Sequence, residues 1–266
     1  MPFTKSGNLL ATLTKIARLL AIREKQGYIV GGFIRDWLLE RETNDIDIAV
    51  SDAAITIAEE VAVKIGGKFV LLDDVNNIAR VVLIEDARPG GISQDQELHS
   101  AEWHFDFSSF SKDIETDLAR RDFTINTMAI ELSQFVAPST ATGTSPRKSA
   151  NLLAEKRFLP KLIDPFSGRE DLRDKIVRGV SEQIFEEDAA RLLRAVRLAA
   201  ELDFTIEPNT ESLIRDYSQA ITEVPGERVR EELLRLLTLP RTAYHLRYLD
   251  NLGLLLALIP ELAESK

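Results

Sequence analysis

The hydrophobic period changes once along this 266-residue chain, and that change limits the folds open to it. Up to about residue 180, short β-prone runs alternate with helical patterns; from about Ser181 onward the apolar residues recur only at helical spacing. A helix period and a strand period bury different faces, so the pattern predicts a mixed α+β unit over 1–180 followed by an all-helical unit over 181–266.

Within the first region, Leu9, Leu10, Leu13, Ile16 and Leu20 trace an amphipathic helix reaching about Gly27. The β-prone run YIV then stops at Gly31-Gly32 and gives way to FIRDWLLER at helical spacing: strand, glycine turn, helix. DIDIAV alternates acid and apolar residues with period two, as a half-buried strand should. A helix over AAITIAEEVAVKIG and strands over KFVLL, ARVVLI and EWHFDFSSF follow, and DLARRDFTINTMAIEL begins helical and turns β-prone through about Leu132. Two connections are polar and aperiodic, EDARPGGISQDQELHSA and the Ser/Thr/Pro-rich stretch from about Ala137, so residues 137–160 read as a flexible insertion. EEDAARLLRAVRLAAEL, NTESLIRDYSQAI, GERVREELLRLL and TAYHLRYLDNLGLLLAL supply the later helices.

Charge and cysteine usage exclude several functions. A net charge of −10 argues against indiscriminate electrostatic binding to nucleic acid, so RNA contact must be local. Residues 147–200 carry 12 basic and 9 acidic residues, a central band of net +3. No cysteine is present, which removes disulfides, thiolate zinc sites and a cysteine nucleophile, and points to a reducing cytoplasm. Lys15 and Arg18 interrupt the first apolar stretch, so neither a signal peptide nor a membrane association is expected. Nothing in the sequence sets an oligomeric state.

The chemistry concentrates on acids. Asp45 and Asp47 are two apart on the DIDIAV strand, so both side chains emerge from one face. Two carboxylates that close repel unless a cation lies between them, and hard oxygen ligands at this spacing suit Mg²⁺. Asp106, on the HFDFSSF strand, could lie beside them and complete a site for two metal ions in an in-line displacement at phosphorus. Gly31-Gly32 would let backbone N–H groups approach a polyphosphate.

GGFIRDWLLERETNDIDIAV, DLARRDFTINTMAI, LIDPFSGREDLRDKIVRGV and FEEDAARLLRAVRLAAELDF, in this order, resemble the class II tRNA nucleotidyltransferase and bacterial poly(A) polymerase family of the polymerase-beta-like superfamily. PGERVREELLRLL is a fainter fifth motif. The resemblance implies a nucleotidyltransferase head with a small mixed sheet and flanking helices, a helical neck, Mg²⁺ as cofactor, and CTP or ATP and the tRNA 3′ end as partners. Gly31, Gly32 and Arg35 would contact the triphosphate, Asp45 and Asp47 would bind the metal, and Asp106 would be the third catalytic carboxylate. Arg120, Arg121, Asp122 and Asn126 match the ribose- and phosphate-binding stretch, while Asp164, Gly168 and Asp171 match a structural link to the neck.

Glu187, Asp188 and Arg191 match the family's base-reading helix. Asp188 and Arg191, three apart on a helix, would be neighbours, an acceptor beside a donor fork. Cytosine and adenine each present an amino donor next to a ring-nitrogen acceptor, which that pair complements. Arg194 and Arg197 would suit phosphate.

Departures from the family refine the expectation. Only SKDIET separates Phe110 from Asp117, where most relatives carry a longer flexible loop; this resembles the CC-adding branch. Glu40 stands where a glycine is usual, Thr127 replaces an alanine and Ala189 a proline. The resemblance implies that family members continue into a body and tail, so residues up to LIPELAESK are expected to reach only the start of a truncated body. The reading is therefore a C- or CCA-adding enzyme, with a poly(A) polymerase or A-adding enzyme, or a non-catalytic RNA-binding remnant, as alternatives.

Overall fold

The computed structural model describes residues 9–85, 101–136 and 161–265. The polar connection at 86–100 and the expected insertion at 137–160 lie outside them. By contact the described residues form two compact units, one reaching Leu118 and resuming over Met128–Asp164, the other comprising Ala119–Thr127 and the chain from Pro165.

The first unit contains, in chain order, α1 (Leu9–Ile22), β1 (Gly27–Val30), α2 (Gly32–Leu38), β2 (Asp45–Val50), α3 (Ala54–Ile65), β3 (Lys68–Asp73), β4 (Ile78–Glu85), β5 (Ala101–Ser109), most of α4 (Ile114–Ala119), β6 (Ala129–Glu131) and β7 (Leu162–Ile163). Its strands make one seven-stranded mixed sheet in the order β3-β4-β5-β2-β1-β6-β7. Every neighbouring pair is antiparallel except β2 and β5, which run parallel.

Period-two alternation sorts the two faces of the sheet. Ile46 pairs with Phe105 and Ile48 with Phe107, and Val81 and Ala79 of β4 continue the same rows. All six are buried. Helix α3, whose Ile57, Ala58, Val61 and Ala62 are buried, packs on β3, β4 and β5. Full burial of each aromatic contributes about 1.5–3 kcal/mol, so a one-residue slip that turned Phe105 and Phe107 outward would be strongly resisted. The opposite face is thereby left to Asp45, Asp47, Arg80, His104 and Asp106.

Between β1 and α2, Gly31 has φ 74° and ψ −142°, a conformation that side-chain-bearing residues rarely adopt. Gly31→Ala should cost about 1–3 kcal/mol, seen as a lower urea midpoint at unchanged m-value. A shift below about 0.3 kcal/mol would show that the turn relaxes without strain. Glu40, in the position where a glycine was expected, has φ 57°, so a glutamate occupies a left-handed site that glycine would fill more easily. Thr127 is fully buried, and its hydroxyl donates to the Thr124 carbonyl at 2.7 Å.

The second unit holds α5 (Gly168–Asp174), β8 (Ile176–Val177), α6 (Ile184–Glu187), α7 (Arg191–Leu202), β9 (Thr205–Ile206), α8 (Pro208–Asp216), α9 (Gly226–Leu237), α10 (Thr242–Asn251) and α11 (Leu254–Leu258). By contact this unit takes in the chain from Pro165, so residues 165–180 cluster with the helices that follow the expected boundary near Ser181. Two interactions group the intervening residues with the helices. Strands β8 and β9 pair in parallel, Ile176 with Thr205, so a short strand interrupts the region expected to be all helical. Buried Asp171 accepts a 2.6 Å hydrogen bond from the Thr124 hydroxyl and a fork from Arg178. The last helical stretch is broken at Gly253, φ 78°.

Candidate functional site

On the polar face of the sheet the strand register brings the predicted acids together. Asp47 lies beside Asp106 in the parallel pair, and Asp106 lies opposite Arg80 of β4. Arg80 donates from Nε to Asp106 Oδ1 and from Nη2 to Oδ2, both at 2.7 Å. That bond, with the nearby charges of Asp45 and Asp47, holds the guanidinium pKa above its usual value against the opposing effect of burial. Asp45 pairs across β5 with His104, whose Nδ1 is 2.9 Å from Asp45 Oδ1 and whose Nε2 is 3.0 Å from Glu102 Oε1. Glu102 first, then Asp45, raises the imidazole pKa.

Asp45 and Asp47 fit a hard divalent cation by donor chemistry: two carboxylates at i and i+2 on one face, with the Asp45 side chain 72% exposed. Asp106, the third acid expected there, has both oxygens in the Arg80 fork. Among the described residues no three His, Cys, Asp or Glu form a group that could hold a metal ion.

Around the diglycine turn, Arg35 is buried and donates from Nε and Nη2 to its neighbour Asp36 at 3.0 and 2.8 Å. A Cβ at Gly32 would lie 3.4 Å from Arg35 Nη2, an ordinary van der Waals contact, so this fork does not itself require the glycine.

The remaining predicted residues lie in the second unit and make their own cluster. Buried Asp122 accepts from the Phe123 N–H at 2.7 Å and from Asn126 Nδ2 at 3.1 Å, and pairs with Arg194 Nε at 2.7 Å. Arg191 donates from Nη1 to the Ile184 carbonyl and to Glu187 Oε2, and from Nη2 to the Arg120 carbonyl at 2.8 Å. The Arg120 side chain is exposed and Arg121 is half-buried.

Two expectations about this cluster need correction. Asp188 and Arg191 do not share a continuous helix: α6 ends at Glu187, Asp188 is extended at φ −157°, and α7 begins at Arg191. The Asp188 carboxylate takes the Ala190 N–H at 3.1 Å, a local bond that competes with helix continuation. It is also held by Arg228 of α9, Nη1 to Oδ1 at 3.0 Å and Nη2 to Oδ2 at 2.7 Å. Burial pushes the Asp188 pKa up, but the Arg228 bonds and the Ala190 N–H outweigh it and the net shift is downward. Arg197, expected to suit phosphate, is buried and ion-paired with Glu232 and Glu201.

Sequence reading passed over Arg80, His104 and Arg228. Arg80 had a legible signal, since it is the one charged residue in the apolar run Ile78–Ile84. The partner of Arg228 lies forty positions away and had none.

Residues 27–178 match the poly A polymerase head domain, and residues 203–266 match the probable RNA and SrmB-binding site of polymerase A. The chain belongs to the poly A polymerase head-domain family, as the sequence motifs led us to expect. It is 36% identical over 214 residues to a CC-adding tRNA nucleotidyltransferase of Geobacter sulfurreducens, covering 80% of this chain and 40% of that protein. With an A-adding tRNA nucleotidyltransferase of Deinococcus radiodurans it shares 33% identity over 243 residues, 90% of this chain and 46% of the other. The Thermotoga maritima CCA-adding enzyme, solved in complex with tRNA, superposes with a TM-score of 0.71 at 31% identity, over 95% of this chain and 52% of that one. This chain thus spans about half the length of these relatives or less. Enzymes of the family generally use a divalent metal. Among the described residues no helix is long and apolar enough to cross a membrane.

Proposed function

We propose that the chain is a Mg²⁺-dependent, template-independent RNA nucleotidyltransferase of the cytoplasm. It adds cytidine, or CCA, to tRNA 3′ ends from CTP and ATP and releases pyrophosphate. The observation that carries this reading is the register of Asp45, Asp47 and Asp106 on one accessible sheet face. Asp45 and Asp47 would hold the metal, which when bound supplies Lewis-acid stabilisation of charge at phosphorus. Their carboxylates position rather than act as bases. Gly31, Gly32, Arg35, Arg120, Arg121, Asp122, Asn126 and Arg194 are the proposed ribose and triphosphate contacts.

Asp188 as acceptor and Arg191 as donor complement the edge shared by cytosine and adenine; uracil and guanine present the reverse order. Arg228 fixes where the Asp188 oxygens point. The short link from β5 into α4, residues 110–113 only, supports C addition, because the resemblance places a longer loop there in most relatives. The Deinococcus relative favours A addition as the second reading.

Extension of tRNA lacking its 3′ terminus with each NTP separately tests both. CTP alone should be incorporated, with UTP and GTP at least about 100-fold less efficient, because mispaired polar groups in a hydrogen-bonding site are costly. Incorporation from ATP but not CTP, on tRNA already ending in CC, would establish the A-adding reading instead. No pyrophosphate release with any NTP would leave an RNA-binding role.

A further inference from the structure

Arg80 has no part in the proposed reaction, yet its guanidinium is bonded to one of the acids that do. Its strand is otherwise apolar from Ile78 to Ile84, so the guanidinium is not there to keep that strand soluble. Both guanidinium bonds go to one carboxylate in fork geometry, the arrangement in which arginine binds an anion most firmly. The Arg80 and Asp106 side chains are 33% and 23% exposed, so water screens the pair only in part. The other ionisable groups of these three strands that the register brings to this face are Asp45, Asp47, Glu102 and His104.

We infer that Arg80 is a built-in counter-ion that competes with the divalent metal for Asp106, and so is a positioning residue for the acid row. The inference rests on the assignment of Asp45 and Asp47 as metal ligands. With Arg80 in place both Asp106 oxygens are engaged, so an incoming ion first meets Asp47 and Asp45, the latter already in contact with His104. A metal that recruits Asp106 must displace the fork. The ion pair thereby lowers metal affinity in the resting protein and keeps Asp106 oriented.

Mn²⁺ alone, titrated into the full chain without nucleotide and followed by the EPR signal of free Mn²⁺, tests this. Arg80→Gln should bind Mn²⁺ about tenfold more tightly than wild type, since a unit charge a few ångströms away is removed and Asp106 is released. Arg80→Lys, which keeps the charge but cannot span two oxygens, should lie between. Equal or weaker binding by Arg80→Gln overturns the inference. Should circular dichroism show that Arg80→Gln does not fold, Arg80→Lys decides by the same criterion: tighter than wild type supports it, equal or weaker overturns it. The double variant Asp45→Asn/Asp47→Asn separates the two levels. Mn²⁺ binding undiminished in that variant overturns the metal assignment and the role of Arg80 together, whereas binding lost there but not tightened in Arg80→Gln removes only the role of Arg80.

Discussion

Asp45→Ala should reduce nucleotide incorporation by about 10³-fold or more while leaving the protein folded. The metal is expected to stabilise the charge of the transition state by several kcal/mol, and every 1.36 kcal/mol is tenfold in rate. Stability should barely change, because the Asp45 side chain is 72% exposed and its hydrogen-bond partner His104 is itself only partly buried. Loss of an exposed pair of this kind costs about 0–1 kcal/mol. The check is single-turnover incorporation of labelled CTP beside thermal unfolding of the same preparation. Incorporation within tenfold of wild type would remove Asp45 from the metal site. A collapse of the melting temperature would show instead that the residue is structural.

The second large effect concerns stability. Arg197 of α7 and Glu232 of α9 form a buried ion pair, with side chains 7% and 15% exposed, and Glu201 completes the arrangement. Removing one member of such a pair leaves a charge with too few partners in a poorly solvated place. Glu232→Ala should therefore destabilise by about 3 kcal/mol, lowering the melting temperature by about 6–12 °C. Arg235→Ala, on the same helix with its side chain 61% exposed, should shift it by less than about 2 °C. Equal shifts for the two would mean that burial does not set the strength of the Arg197 pair. A large shift only for Glu232→Ala would agree with a structural Arg197 in place of a phosphate ligand.

These outcomes bear on how much of the site was legible beforehand. DIDIAV states its strand period directly, and Ile46 and Ile48 leave Asp45 and Asp47 no face but the polar one. That Asp106 lies beside Asp47 depends on β2 and β5 pairing in parallel, a long-range choice that the local pattern permits without specifying. The helix through Asp188 was misread for a related reason. Its residues have helical propensity, but a carboxylate that can bond the Ala190 N–H and reach Arg228 gains more by leaving the helix there.

Local order was thus determined by the chain itself: the strand and helix periods, the glycine at Gly31 where φ is positive, the ordered motifs that identify the family, and the pairing of acids at 45 and 47. Tertiary structure alone decided which charge neutralises which. Arg80 takes Asp106, Arg194 takes Asp122, Arg228 takes Asp188 and Glu232 takes Arg197. The reason is physical. A period is written in consecutive residues, whereas the partner of a charge is set by strand register and helix packing, which bring together side chains that lie far apart in sequence.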